Sequence, residues 1–272
     1  MPEPLILPSG LVYLPLGEEV LPLLKRGVVP LYAPTDSGLP WFAAAAPSLV
    51  KGPARASDAD YLAHLQQEYE RLPDTLRGLL TLEVFIRQAD RKRADIEAAL
   101  LAQRQLQVQE AVGDPGDWLM QRFFPDAGSL LAWQQGGGLN RVWLGIDVSQ
   151  WPQASLQAVS YQGRQPAAYP QRLLCDAPDM AALQEWRLVQ AVAETERLIQ
   201  VGGRQQGLLR LPPKALRCLL LGAELRPAFR TALQAFWRQD FRYQRTPLAG
   251  MVISPDEYGW HFQTVFTNTE KA

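Results

Sequence analysis

Residues 11–32 read LVYLPLGEEVLPLLKRGVVPLY, and this stretch decides how the fold begins. Leu11-Val12-Tyr13-Leu14 is rich in β-forming residues and predicts a strand. Glu18 to Lys25 predicts a short helix, because the glycine at position 27 can adopt the left-handed angles that end helices. Val28-Val29-Pro30-Leu31-Tyr32 predicts a second strand. Its central proline has no N–H to donate and favours the edge of a sheet.

Beyond this stretch, the pattern predicts a region of mixed helices and strands that runs to about residue 165. Apolar residues spaced three and four apart predict helices at 58–72 and 89–106, and a short helix at 130–133. Runs rich in β-formers predict strands at 79–86, 105–112, 118–124, 141–148 and 156–161. We expect a small sheet with flanking helices.

The remainder, residues 166–272, is predicted to be mainly helical. Prolines at first-turn positions open helices at 178–200, 214–221 and 228–240. In the last of these, Phe229, Leu233, Phe236 and Trp237 fall on one face. The predicted fold class is therefore α+β, with a mixed lobe over 1–165 and a mainly helical lobe over 166–272.

Composition excludes several classes of function. Hydrophobic residues make up 47% of the 272 residues and charged residues 20%, so the chain can bury a core. The net charge of −1 gives no domain-scale basic surface for nucleic acid. No run approaches about 18 apolar residues, so we expect no membrane span. With no signal peptide in evidence, the expected location is the cytoplasm.

The sequence contains no recognisable catalytic or cofactor motif. Two cysteines, Cys175 and Cys218, and two histidines without ligand spacing do not predict a metal site. Gly136-Gly137-Gly138 matches neither a phosphate loop nor a dinucleotide fingerprint and is interpreted as a loop before a strand. No nucleophile elbow is present. We therefore expect no cofactor, no metal and no enzymatic activity.

Several short motifs, taken in order, are similar to one known family. They are Leu11-Val12-Tyr13-Leu14, Val20-Leu21-Pro22-Leu23-Leu24, Pro30-Leu31-Tyr32-Ala33, Ala46-Pro47-Ser48-Leu49-Val50, Asp114-Pro115-Gly116-Asp117 and Arg122-Phe123-Phe124-Pro125-Asp126. The chain thereby resembles, over about residues 10–150, the effector chaperones (adaptors) of the bacterial type VI secretion system, whose domain was formerly of unknown function. Phe124 stands where that family usually has Tyr, and Pro125-Asp126 reverses its usual Asp-Pro order.

The resemblance implies a non-catalytic chaperone. Such a protein binds one toxic effector, keeps it soluble and hands it to the valine-glycine-repeat spike protein. Two other functions remain open from the residues: an immunity protein that inhibits a toxin, and a hydrolase that uses His261 with Asp256 or Glu257. The chaperone hypothesis predicts two partners, a protein effector and the spike protein. The sequence does not give the oligomeric state.

The predicted client-binding residues lie just after the helix at 228–240. Phe236 to Tyr243 is the part of the chain richest in closely spaced aromatic and arginine residues, the types that anchor protein interfaces. Phe241 and Tyr243 lie beyond the predicted end of the helix and cannot both join its apolar stripe. We therefore predict that Phe241, Arg242 and Tyr243 contact the client.

Overall fold

The computed structural model describes residues 5–39, 42, 57–166, 168–254 and 259–266, without the side chains of 104–112 and 266. The chain divides into two compact units. One contains residues 1–44 together with 115–272, and the other contains residues 45–114. The first unit carries the strands, and the second is helical over its described part.

The first unit contains thirteen strands among its described residues, in two main sheets and one small pair. They are β1 (Val12–Leu16), β2 (Val28–Tyr32), β3 (Trp118–Phe123), β4 (Val142–Ile146), β5 (Leu156–Ala158), β6 (Ser160–Tyr161), β7 (Cys175–Asp176), β8 (Trp186–Ala191), β9 (Leu198–Val201), β10 (Arg204–Arg210), β11 (Leu216–Leu221), β12 (Leu248–Ser254) and β13 (Gly259–Phe266). The helices in the described part of this unit include α1 (Val20–Arg26), α6 (Leu130–Gln135) and α7 (Pro227–Gln239).

The five-stranded sheet has the order β1-β4-β11-β12-β13, and its strand β4 is buried on both faces. Side chains alternate between its faces because successive residues of a strand point in opposite directions. Leu219 and Leu221 pack into one apolar cluster, whereas Cys218 and Leu220 of the same strand pack into another. This explains why the last four residues of β11, 218–221, are all apolar.

The six-stranded sheet has the order β5-β8-β3-β2-β10-β9. The main core lies between this sheet and the five-stranded one, since their apolar residues share a single cluster with Phe229, Leu233 and Trp237 of α7. The edge position predicted from Pro30 is wrong, because β2 lies between β3 and β10. β2 pairs with β3 only at Tyr32, so the ladder on that side does not reach the proline.

The predicted mainly helical C-terminal lobe is wrong. The protein is a mixed α+β fold in which the C-terminal region is mainly strands, including β11 to β13. The helix predicted at 178–200 is replaced by a 3-10 turn followed by β8 and β9, and the helix predicted at 214–221 is β11. The spacing of apolar residues in these segments fits a helix as well as a strand. Pairing with other strands makes them part of the sheets. Only the helix at 228–240 is confirmed, as α7.

Strands from both sides of residue 165 belong to the same sheets. β10 pairs with β2 along five residues, and β11 pairs with β4. In the early part of the chain, the structure confirms the prediction. The strand, helix and strand predicted within residues 11–32 are observed as β1, α1 and β2. Gly27 ends α1 with the expected left-handed angles, φ 66° and ψ 41°.

The unit of residues 45–114 consists of helices over its described part: α2 (Asp58–Glu70), α3 (Asp74–Arg77), α4 (Leu82–Ala89) and α5 (Arg93–Val112). The strands predicted at 79–86 and 105–112 are wrong. Thr81 accepts a hydrogen bond from the backbone N–H of Val84 and caps α4, which a strand reading overlooks. Within the unit, the Tyr69 hydroxyl donates to the Leu80 carbonyl at 2.8 Å.

Candidate functional site

The three predicted client-binding residues form one 3-10 turn directly after α7, and the structure gives each a different environment. Phe241 is 80% exposed, Arg242 is half-buried, and Tyr243 is only 1% exposed. A 3-10 turn rotates the chain by about 120° per residue, so three consecutive side chains point in three directions. The turn therefore leaves one aromatic in solvent and places the other in the core.

Tyr243 is a core residue. Its ring stacks on Trp237 with 4.8 Å between centroids and 8° between planes. Its hydroxyl donates a hydrogen bond to the Leu24 carbonyl at 3.1 Å, at the end of α1. Burial raises the pKa of this hydroxyl above its ordinary value. Tyr243 thus has no accessible surface to offer a client, contrary to what its position after the helix suggested.

Arg242 connects the turn to the end of α1. Its guanidinium donates to both carboxylate oxygens of Asp240, with 2.9 Å from Nε to Oδ1 and 2.6 Å from the second terminal nitrogen to Oδ2. The same nitrogen donates to the carbonyls of Leu24 and Lys25, each at 3.1 Å. The hydrogen bond from Arg242 lowers the pKa of Asp240. The last carbonyls of a helix have no partner within it, so Arg242 caps α1.

Phe241 is consequently an exposed aromatic on a fixed turn. It borders a shallow surface depression lined by Phe236, Gln239, Asp240, Phe241 and Arg242. The Lys25 ammonium lies 6.0 Å from the centroid of the Phe236 ring, within range of a cation–π contact. We call Phe236, Phe241 and the residues around them, 21–27 and 236–245, the Phe241 surface. Its geometry suits contact with another molecule over an area rather than capture of a small one.

A second feature of the same unit, two buried arginines, was not found from the sequence. Arg122 on β3 and Arg187 on β8 lie directly opposite each other in the antiparallel register. Glu185 accepts hydrogen bonds from both, at 2.9 Å from Arg122 Nε and 2.6 Å from Arg187 Nε. Arg187 also donates to Asp176 at 2.5 Å. The only sequence signal was the occurrence of Glu185 and Arg187 at alternate positions, which places them on one face of a strand.

This buried network is a structural device rather than a reactive site. Both side chains of the Arg187–Asp176 pair are at most 1% exposed. Arg187 further donates to the carbonyls of Leu173 and Cys175, so its guanidinium is well satisfied within the chain. Burial opposes ionisation of Glu185, but hydrogen bonds from Arg122 and the charge of Arg187 lower its pKa below the ordinary value. Buried charges that are paired in this way contribute to the folded structure and are not accessible to a substrate.

Gly136-Gly137-Gly138 forms a loop between α6 and β4, as the sequence predicted. It borders a cavity of about 290 Å³ whose lining also includes Glu19, Tyr32, Gln121 and Arg141. The Oε1 atom of Gln121 is buried and has no hydrogen-bond partner among the described residues. The lining holds carboxylates and guanidinium groups but neither histidine nor cysteine. The cavity therefore offers polar contacts without a nucleophile paired to an imidazole base.

The hydrolase hypothesis is not tested by the structure. His261 is exposed on β13, opposite Val252 of β12. The carboxylates named with it, Asp256 and Glu257, lie outside the described residues. Among the residues that are described, no group of three His, Cys, Asp or Glu side chains could hold a metal ion. Whether the protein binds a metal or catalyses a reaction stays a prediction.

The two cysteines lie in the interior of the first unit. Cys175 and Cys218 are both buried and both free thiols. Burial raises the pKa of the Cys218 thiol to about 12, which leaves it protonated at neutral pH. Across the part of the chain that the structure describes, no helix combines the length and apolarity needed to cross a bilayer.

Comparisons with known proteins add no relative. The chain matches no family model, no curated protein and no solved structure. The resemblance to type VI effector chaperones consequently depends on the short motifs of the sequence alone. The function has to be argued from the surface chemistry of the molecule.

Proposed function

We propose that this protein is a non-catalytic chaperone or adaptor that binds a secreted toxic effector and aids its loading onto the type VI secretion spike. The observation that carries this proposal is Phe241, a large aromatic side chain that is 80% exposed on a turn. The sequence resemblance supplies the class of client. A protein-binding role follows from the chemistry of the Phe241 surface.

An aromatic residue left in solvent lacks the stabilisation that burial would give. Burying a phenylalanine side chain stabilises a protein by roughly 1.5–3 kcal/mol relative to leaving it exposed. The turn that carries Phe241 is held on both sides, by the Asp240–Arg242 pair and by the stacking of Tyr243 on Trp237. A fixed aromatic loses little conformational entropy on binding, which favours its use as an interface anchor.

The second support comes from the N-terminal strands. The family resemblance implies a strand, a short helix and a second strand, and the chain has β1, α1 and β2 in these places. Arg122 and Phe123, from the motif that resembles the family's Arg-Phe phrase, lie at the end of β3. These elements are compatible with the proposal and place α1 beside the Phe241 surface, through the bonds from Arg242 and Tyr243.

The test is binding to a candidate toxic effector produced together with this chain. The Phe241→Ala variant should bind it roughly thirtyfold more weakly than the wild type, the equivalent of a 2 kcal/mol hot spot. Val201→Ala on β9 is the control, because that side chain is exposed and apolar but distant in sequence. Co-expression and titration calorimetry give the affinities, and thermal melts verify that both variants fold.

Three outcomes contradict the proposal: no complex with the wild type, equal losses for both variants, or turnover of a substrate by the purified chain. Capture of the spike protein by the chain and effector together supports the loading role. If the complex instead abolishes the toxin's activity and does not recruit the spike, the protein is an immunity protein. That outcome would support the binding surface and contradict the loading role.

A further inference from the structure

The Phe241 surface is strongly cationic. Its two segments, 21–27 and 236–245, contain five basic residues and one acidic residue, whereas the whole chain has a net charge of −1. The basic residues are Lys25, Arg26, Arg238, Arg242 and Arg245, and the acidic residue is Asp240. The imbalance is therefore local to this surface.

The two segments are joined directly. Arg242 donates hydrogen bonds to the carbonyls of Leu24 and Lys25, and the Lys25 ammonium lies over the ring of Phe236. Lys25, Arg26 and Arg245 are all exposed. The Lys25 ammonium consequently lies beside the half-buried Phe236 ring, and Arg26 and Arg245 add exposed charge within the same two segments.

Three of these cations, Lys25, Arg26 and Arg245, are not neutralised within the part of the chain that the structure describes. Asp240 is bonded to Arg242, which uses the one local carboxylate. Among the described residues, no carboxylate lies within ion-pair distance of Lys25, Arg26 or Arg245. Uncompensated like charges that lie close together repel one another, and an anionic partner relieves that repulsion.

From this charge pattern we infer that the Phe241 surface binds an acidic segment of a protein partner, one in which Asp or Glu residues flank an apolar side chain. The apolar side chain contacts Phe236 and Phe241, and the carboxylates face Lys25, Arg26 and Arg245. This inference rests on the proposed function, since it names the chemistry of the segment that the adaptor would hold. Complementary charge sets partner choice and association rate more than it sets affinity.

A protein segment fits this surface better than a nucleic acid does. Asp240 lines the same depression as Phe236 and Phe241, and its carboxylate would face a phosphate backbone with a like charge. The surface also presents phenylalanine rings, which suit an apolar side chain. A peptide can place its carboxylates opposite the cations and keep them away from Asp240, whereas a polyphosphate carries charge at every unit.

The experiment measures binding of two short synthetic peptides that share a central Leu-Phe pair. One carries four flanking Glu residues and the other carries Gln in their place. The Glu peptide should bind the wild type roughly tenfold more tightly than the Gln peptide, and its affinity should fall as salt rises from about 50 to about 500 mM. Fluorescence anisotropy gives both affinities.

A charge-reversal variant, Lys25→Glu with Arg26→Glu and Arg245→Glu, should lose the preference for the Glu peptide. The matched control reverses three exposed arginines outside the two segments, Arg164, Arg197 and Arg217, and should keep that preference. Arg242 is left unchanged because it caps α1. Thermal melts of both triple variants exclude misfolding as the cause.

The result separates this inference from the proposed function. If the effector binds the wild type and the charge-reversed chain equally, and Phe241→Ala alone abolishes binding, the adaptor role stands and the acidic partner is wrong. Equal binding of both peptides, or tighter binding of RNA or of vesicles with anionic lipid than of the Glu peptide, also overturns the inference. If neither the effector nor the Glu peptide binds, both proposals fall.

Discussion

The arginines of the buried network and those of the Phe241 surface perform different tasks, although both groups belong to the same structural unit. In the network, Arg122 and Arg187 share Glu185 and Asp176, so the interior charges balance. At the surface, Lys25, Arg26 and Arg245 have no carboxylate within ion-pair distance among the described residues. The difference teaches where to look for function: balanced charge holds the fold, and unbalanced charge on an exposed surface is available to a partner.

The largest expected effect is the loss of Arg187. The Arg187→Met variant leaves Glu185 and Asp176 buried beside fewer cations, and breaking such a pair typically costs about 3–5 kcal/mol. Urea unfolding should show this loss of stability. A matched Arg245→Met variant at the surface should unfold like the wild type. If the two variants proved equally stable, the buried network would not be structural.

The second expected effect is a dependence of stability on pH. Because the folded-state pKa of Glu185 is lowered, its contribution is present above the ordinary carboxyl pKa and is lost as pH falls through the folded value. Unfolding free energies measured between pH 7 and pH 3 should fall more steeply for the wild type than for Glu185→Gln. Parallel curves for the two proteins would show that Glu185 does not contribute to the acid sensitivity.

A smaller effect is expected for Tyr243→Phe. The variant keeps the stacking on Trp237 but removes the hydrogen bond to the Leu24 carbonyl, and a typical hydrogen bond contributes about 1 kcal/mol. Stability should fall by that amount. Affinity for the effector should fall only slightly, because Arg242 still holds the turn against α1. A loss of binding larger than the loss of stability would show that the hydroxyl acts on the partner.

The smallest effect on stability is expected at Phe241. Phe241→Ala removes an exposed ring, and surface substitutions of this kind usually change stability by less than about 0.5 kcal/mol. Its melting temperature should match the wild type while effector binding weakens roughly thirtyfold. A large fall in melting temperature would place Phe241 in the core and remove the basis for the proposed function.

The sequence predicted those parts of the fold that local patterning controls. The strand, helix and strand of residues 11–32 and the apolar face of α7 follow from period and capping. The segments 178–200 and 214–221 were misread because their leucines and valines fit a helix as well as a strand. β8 pairs with β3 and β11 pairs with β4, both distant in sequence, so local spacing could not reveal these pairings.

The candidate site was predicted only in part. The density of aromatic and arginine residues identified the segment that includes Phe241, but not which aromatic is exposed. That distinction depends on the 3-10 turn and on the stacking of Tyr243 against Trp237. The cationic surface was missed because Lys25 and Arg26 lie far from the turn in sequence and approach it only through α1.

The pairing of β2 with β10 has a consequence for how the chain folds as it is synthesised. Gln206 pairs with Tyr32, so β2 must wait for a partner that is made about 170 residues later. At a synthesis rate of roughly 5–20 residues per second, the wait is on the order of 10–30 s. During that time β2 lacks the partner along which most of its residues pair, and its apolar side chains expose a newly made chain to aggregation.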